Sequence, residues 1–204
     1  THNNFIVGPD AVIDAIKSKA DFVTKAKMLR TRNDNTAFVL QTAELFKVSS
    51  ELAVKVLESF SGLKAHRELI KKIGGVEFYN DSKATNIGSA IAGIDAFREN
   101  KIVLVGGYNK NLNFKPLARR LTGSDIRLAI LFGASRGDIA EELRKLKFNR
   151  FKTVRGLEAA AKLARREARR GDVILLAPAT ASFDEFKDYK ERGRMFKKVV
   201  AQFK

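Results

Sequence analysis

Three short apolar runs constrain this chain more than anything else in it: Ile102-Val103-Leu104-Val105, Leu128-Ala129-Ile130-Leu131-Phe132 and Val173-Ile174-Leu175-Leu176. A strand with one solvated face alternates apolar and polar residues, because successive side chains point to opposite sides. A run that is apolar at every position needs cover on both sides, and a parallel sheet between two layers of helices supplies it. The segments around the runs have helical spacing, over 87–97, 114–121, 139–146, 157–169 and 189–203. This alternation predicts an α/β fold: an open, mostly parallel, Rossmann-like sheet with helices on both faces. A weaker strand is expected at 151–154, and Leu69–Ile73 and Val76–Tyr79 flank Gly74-Gly75 as a hairpin-like start.

The first third reads differently. Phe5-Ile6-Val7 suggests a strand, residues 9–19 a short helix and 21–29 another strand. Helices are then expected over 36–46 and from Ser49-Ser50-Glu51 onward. Ser61-Gly62-Leu63-Lys64-Ala65 breaks the pattern and reads as a linker. The expected division is therefore a helical piece of another domain, residues 1–62, followed by the α/β domain, residues 63–204.

Composition narrows the chemistry. With no cysteine there are no disulfides or thiols, and two histidines make a zinc site a poor fit. No apolar run approaches the ~20 residues needed to span a bilayer, and the start lacks a signal-peptide pattern. A cytoplasmic protein with no membrane partner is expected. The net charge of +16 allows a polyanion partner: nucleic acid, a membrane surface or a phosphorylated small molecule. The densest basic stretch places Arg165, Arg166, Arg169 and Arg170 with Leu157, Ala160, Ala161 and Ala164 at helical spacing. That is a surface helix with a basic outer side. No aromatics alternate with these arginines, so no nucleic-acid partner is expected.

In an open parallel sheet, ligands bind beyond the carboxyl ends of the strands. The loops there are 80–86, 106–113, 133–137 and 177–186. The first, Asn80-Asp81-Ser82-Lys83-Ala84-Thr85-Asn86, runs into a helix; its cap-type residues, free amides and Lys83 suit an anion. The second opens with Gly106-Gly107 and offers Lys110. The last, Ala177-Pro178-Ala179-Thr180-Ala181-Ser182-Phe183-Asp184-Glu185-Phe186, has small residues for close packing, a hydroxyl at Ser182 and a wall from Phe183 and Phe186. Asp184 and Glu185 are expected to favour the start of the last helix through its dipole. Each loop alone could be a capped helix or a solvated turn. Their joint placement at one sheet edge points to a binding site. The chain holds no Gly-x-Ser-x-Gly elbow, no Gly-x-x-x-x-Gly-Lys-Ser/Thr phosphate loop and no Gly-x-Gly-x-x-Gly after a strand.

These residues resemble the Mur ligase family, in its D-glutamate-adding branch. Residues 81–86 match the Asp-Ser-Lys-Ala-Thr-Asn signature of that branch. Residues 175–186 are similar to its Leu-Leu-Ser-Pro-Ala-Cys-Ala-Ser-Phe-Asp-Gln-Phe segment, with Ala177 and Thr180 in place of Ser and Cys. Glu191-Arg192-Gly193 followed by Phe196 matches its Glu-Arg-Gly-x-x-Phe. Gly62 to Arg67 resembles the linker Gly-Leu-x-His-Arg with one extra residue. The likeness covers residues of about 31–204.

The resemblance implies the last part of a three-domain, ATP-dependent ligase of peptidoglycan synthesis, expected to be a cytoplasmic monomer. Residues 1–62 would be the end of the central ATP-binding domain and 63–204 the amino-acid-binding domain. The substrate carboxylate of UDP-N-acetylmuramoyl-L-alanine would be phosphorylated, and the amine of D-glutamate would displace phosphate. Thr85, Lys110, Ser182, Phe183 and Tyr189 would contact D-glutamate. Asp81, Lys83, Arg67 and His66 would lie at ATP, and Asn33 would meet the adenine, with Arg32 and Thr36 replacing the family's His and second Asn. Mg2+ would be bound mainly by residues outside this chain. The phosphate loop and the central-domain metal ligands are not in the chain, so by itself it is expected not to ligate, and no catalytic residue is assigned within it. A folylpolyglutamate-ligase-like relative and a basic nucleic-acid-binding module are the alternatives.

Overall fold

The computed structural model describes residues 34–59 and 64–204. The expected elements at 5–7, 9–19 and 21–29, the adenine residue Asn33 and the linker residues Ser61 to Leu63 lie outside them. The structure divides into two compact units, the first ending at Ser61 and the second running Gly62–Lys204.

In the first unit, α1 (Asp34–Leu45) and α2 (Ser50–Ser59) pack together. The Leu52 amide donates to Ser49 Oγ at 3.3 Å, the N-cap expected of the serine pair. Leu40 and Ala53 are buried, whereas Leu45, Phe46, Leu52 and Val56 are exposed.

The second unit contains β1 (Glu68–Ile73), β2 (Val76–Asn80), α3 (Ile87–Asp95), β3 (Lys101–Gly106), α4 (Lys115–Leu121), β4 (Ile126–Phe132), α5 (Arg136–Lys145), β5 (Phe151–Thr153), α6 (Leu157–Glu167), β6 (Val173–Leu176) and α7 (Tyr189–Ala201). The six strands form one sheet in the order β1-β2-β6-β3-β4-β5. Only the β1–β2 hairpin is antiparallel; every other pairing is parallel. Gly74 and Gly75, at φ +59° and +79°, make its turn, a backbone region that glycine enters without strain.

The non-alternating runs are buried on both faces, as their composition requires. Val103, Val105, Ala129, Leu131, Val173 and Leu175 pack on one side with α3, α4 and α5. Ile102, Leu104, Leu128, Ile130, Ile174 and Leu176 pack on the other with α6 and α7. Truncating any of the leucines or isoleucines among these to alanine should cost about 2–5 kcal/mol. The basic helix α6 buries Leu157, Ala160, Ala161 and Ala164 and ends at Glu167, so Arg169 and Arg170 lie in the following loop. No helix among the described residues is long and apolar enough to cross a membrane.

Candidate functional site

The loops after β2, β3, β4 and β6 meet at the carboxyl edge of the parallel strands. Their contacts are mostly backbone contacts. The Gly106 amide donates to Pro178 O at 2.9 Å, Tyr108 N to Ala181 O at 2.9 Å, Ala179 N to Ala84 O at 3.0 Å and Ser135 N to Gly107 O at 2.9 Å. Gly107 is essential to this closeness. Its φ is +134°, and a Cβ there would stand 2.4 Å from Ala181 O and 2.6 Å from Thr180 Oγ1.

A buried arginine joins the first loop to the last. Arg192 of α7 is fully buried. Its Nε donates to Ser82 Oγ (3.0 Å), Nη1 to Ala181 O (3.1 Å), and Nη2 to Ser82 O (3.0 Å) and Thr180 O (3.1 Å). Its direct hydrogen-bond acceptors are therefore neutral oxygens. Burial pulls its pKa down to about 10, against the opposing pull of Asp184 and Glu185. Ser82 Oγ in turn donates to Tyr189 O at 2.8 Å. Gly193 lets α7 approach this close, because a Cβ would stand 3.0 Å from Asn80 Nδ2.

Asp81 is buried at the end of β2. Its Oδ1 accepts from the Arg67 amide at 3.1 Å and lies 3.2 Å from His66 Nδ1, while Oδ2 lies against Gly93 of α3. Burial raises its pKa above the ordinary 3.8, and His66 and the Arg67 amide work in the opposite direction. Ala65 and Arg67 both have positive φ, and Lys83 N donates to Ala65 O at 3.0 Å. The segment before β1 is thus bent back onto the first loop.

The remaining charges are displayed outward. Lys83 and Lys110 are exposed, and neither forms a salt bridge with a carboxylate among the described residues. The Lys110 Nζ lies 5.3 Å from the Phe183 ring centroid, and Tyr108 meets that ring edge-on at 6.4 Å. Phe183 is 61% exposed, so an apolar ring and an ammonium present one surface. Ser182 is buried; Thr85 and Tyr189 are half-buried. Thr85, Lys110, Ser182, Phe183 and Tyr189 all belong to the loops and helix start joined by Arg192 and Gly107. Asp81, Lys83, His66 and Arg67 form a second group around the bent segment.

Several sequence expectations need correction. Asp184 and Glu185 do not serve the last helix. Asp184 accepts from Ala134 N at 2.8 Å and Glu185 from Leu157 N at 3.3 Å, so they brace neighbouring elements. The cap of α7 is Asp188, which accepts from Glu191 N at 2.7 Å. Phe186 packs into the α6–α7 layer instead of forming a wall with Phe183. At α3 the Ser89 amide is already taken by the Asn86 side chain at 2.8 Å.

Arg192 lies in the Glu-Arg-Gly motif, which by itself assigns it no role. Its signal was present: Arg192, Phe196, Val199 and Val200 share the apolar stripe of α7. A charge on such a stripe must find buried acceptors.

Among the described residues, no group of three or more His, Cys, Asp or Glu side chains could hold a metal ion. Asp81 is already engaged by protein donors. These residues do not make a magnesium site.

The family model described as Mur ligase, glutamate ligase domain, matches residues 67–180. The UDP-N-acetylmuramoylalanine--D-glutamate ligase of Natranaerobius thermophilus is 34% identical over 203 residues, 98% of this chain and 44% of that protein. The enzyme of the same name from Caldicellulosiruptor saccharolyticus is 35% identical over 167 residues, 82% of this chain and 37% of that one. The chain thus spans under half the length of these relatives. Among solved structures, UDP-N-acetylmuramate-alanine ligase MurC from Thermotoga maritima superposes with a TM-score of 0.62 at 16% identity, over 84% of this chain and 38% of that one. FolC of E. coli, in complex with ADP, gives 0.58 at 16% identity, over 84% and 40%. These two likenesses concern the fold.

Proposed function

The chain belongs to the Mur ligase family and carries its glutamate ligase domain, and from that premise we propose that it works as part of a longer ATP-dependent ligase that adds D-glutamate to UDP-N-acetylmuramoyl-L-alanine in peptidoglycan synthesis. The observation that carries the reading is the joining of loops 80–86, 106–113 and 177–186 at one edge by Arg192 and Gly107. In this reading the exposed Lys110, the half-buried Thr85 and Tyr189 and the buried Ser182 would serve one site.

In this reading Lys110 neutralises a carboxylate of the incoming amino acid, and the hydroxyls of Ser182 and Thr85 orient it. Phe183 and Tyr189 shield it from water. Lys83 and Arg67 face the phosphates of ATP, with His66 and Asp81 setting the bend of the segment that carries Arg67. Asn33 would reach the adenine. Residues 1–62 would be the end of the central ATP-binding domain and 63–204 the amino-acid domain. ATP supplies the phosphoryl group that makes the substrate carboxylate a good acyl donor, and the amine then displaces phosphate. The contribution of this chain is positioning and charge neutralisation. Mg2+ would be held by residues outside the chain. A monomer acting in the cytoplasm fits the expected small-molecule substrates.

The test is a ligation assay on the protein encoded by the whole gene, with UDP-N-acetylmuramoyl-L-alanine, ATP and either enantiomer of glutamate. ADP release dependent on D-glutamate is expected. Preference for L-glutamate with a folate acceptor would replace this reading with the folylpolyglutamate one. The 204-residue chain alone should release no ADP.

A further inference from the structure

We propose that the amino-end face of the sheet is a docking surface for a bilayer rich in anionic phospholipid. The loops entering the parallel strands are tied to one another there. Lys101 N donates to Asp125 O at 2.8 Å, Val173 N to Asn100 O at 2.9 Å and Arg150 Nη2 to Gly123 O at 3.2 Å. Arg127 Nε lies 2.7 Å from Asp172 Oδ2. These links make one continuous face.

The acids of that face are largely consumed within it. Asp125 is held by Lys101 and Arg120, and the buried Asp172 by Arg127 and the Arg169 amide. Arg98, Lys147, Arg150, Arg169 and Arg170 are exposed and form no salt bridge with a carboxylate among the described residues. Glu99, which accepts from the Arg98 amide, is the one acid of these loops not held by a cationic side chain among the described residues. The face is strongly positive.

Its apolar groups favour lipid over nucleic acid. Phe148 and Phe151 lie under the guanidinium groups of Arg150 and Arg144, at 5.2 and 5.6 Å. Bases stack on open aromatic faces, which these are not. Leu146, 43% exposed, stands between Lys145 and Lys147. Lys145 is engaged by Glu141 and Glu142, whereas Lys147 forms no salt bridge among the described residues. An exposed apolar side chain beside such a cation suits a headgroup layer with hydrocarbon beneath it. The candidate site lies at the opposite ends of the strands, so docking leaves its loops open. Such docking departs from the expectation, drawn from the sequence, of no membrane partner.

The test is co-sedimentation of the 204-residue chain with vesicles of phosphatidylcholine alone or with roughly one-third phosphatidylglycerol. Binding is expected only to the anionic vesicles and should fade as salt rises to ~0.5 M. Each basic residue near such a surface contributes about fivefold to partition. The variant Lys147→Glu/Arg150→Glu/Arg169→Glu/Arg170→Glu should therefore lose at least tenfold, as ~1 kcal/mol per residue implies. A variant of equal net charge altered elsewhere, Lys115→Glu/Lys187→Glu/Lys190→Glu/Arg194→Glu, should lose much less. Should the first variant fail to fold, the four glutamine substitutions at the same positions and Leu146→Ser take its place. Equal loss in both charge variants, binding to neutral vesicles, or displacement from vesicles by duplex DNA at the same salt would overturn the proposal.

Discussion

The two ends of this sheet handle charge in opposite ways. At the amino end, the cations that brace the loops are paired with carboxylates, while Arg98, Lys147, Arg150, Arg169 and Arg170 stay exposed: Lys101, fully buried, meets Asp125, which also holds Arg120, and Arg127 meets Asp172. At the carboxyl end the buried cation Arg192 donates to neutral oxygens, and the buried acid Asp81 is met by a backbone amide and a histidine. The pKa directions follow. The hydrogen bond from Arg120, helped by Lys101, holds Asp125 well below the usual 3.8, whereas burial lifts Asp81 above it. One end uses opposite charges to hold loops in place. The other uses dipoles, which leaves Lys83 and Lys110 free to meet an anionic ligand.

Five substitutions would break or sharpen this contrast. Arg192→Met should be the most damaging, because it leaves Ser82 O and Thr180 O without the buried guanidinium donor and Ala181 O with the Tyr108 amide alone. About 4 kcal/mol of stability should go, a fall in Tm of roughly 10 °C. A fall under about 3 °C would show that the two loops hold together without the clamp.

Asp125→Asn should cost about 3 kcal/mol near neutral pH, since it strips the buried Lys101 of its counter-charge. The pH dependence carries a definite sign. A carboxylate whose folded pKa is lowered contributes stability above its unfolded value of about 3.8 and loses it as pH falls below that. Thermal melts from pH 6 to about pH 2 should show a steep acid limb in the wild type and a shallower one in the variant. Asp81→Asn should act in the opposite direction. Its raised pKa contributes stability that is present below about 3.8 and fades as pH rises through the folded value. Parallel acid limbs for the two variants would contradict the contrast.

Gly107→Ala should cost about 2 kcal/mol, from a disfavoured φ and a Cβ crowding Ala181 O. A crystal structure of that variant should show loops 106–113 and 177–186 further apart. Lys110→Ala should be the mildest in stability, within ~0.5 kcal/mol, because no salt bridge is lost. In the whole enzyme it should raise the KM for glutamate while leaving that for ATP unchanged. An unchanged glutamate KM would remove Lys110 from the site.

Much of this architecture was legible beforehand because its signals are local. Non-alternating runs such as Val173 to Leu176 can satisfy both faces only inside a sheet, and the periods of α3 to α7 followed the same logic. The hairpin at Gly74-Gly75 and the cap at Ser49 were equally local. Loop residues at the carboxyl edge were found because strand direction alone places them there. The errors fell on groups whose partners are remote. Asp184 and Glu185 sit close in sequence to α7 but bond Ala134 and Leu157, 50 and 28 positions away. Arg192 reaches Ser82 across 110 positions.

The sequence by itself therefore determined the layers, the parallel strands and the edge where a ligand would bind, because burial and periodicity act over a few residues. Only the tertiary structure decided which charges are spent and which remain available. A carboxylate or guanidinium can be satisfied by any group within about 3 Å. Nothing in the linear order says whether that group will be an ion, a carbonyl or a ligand.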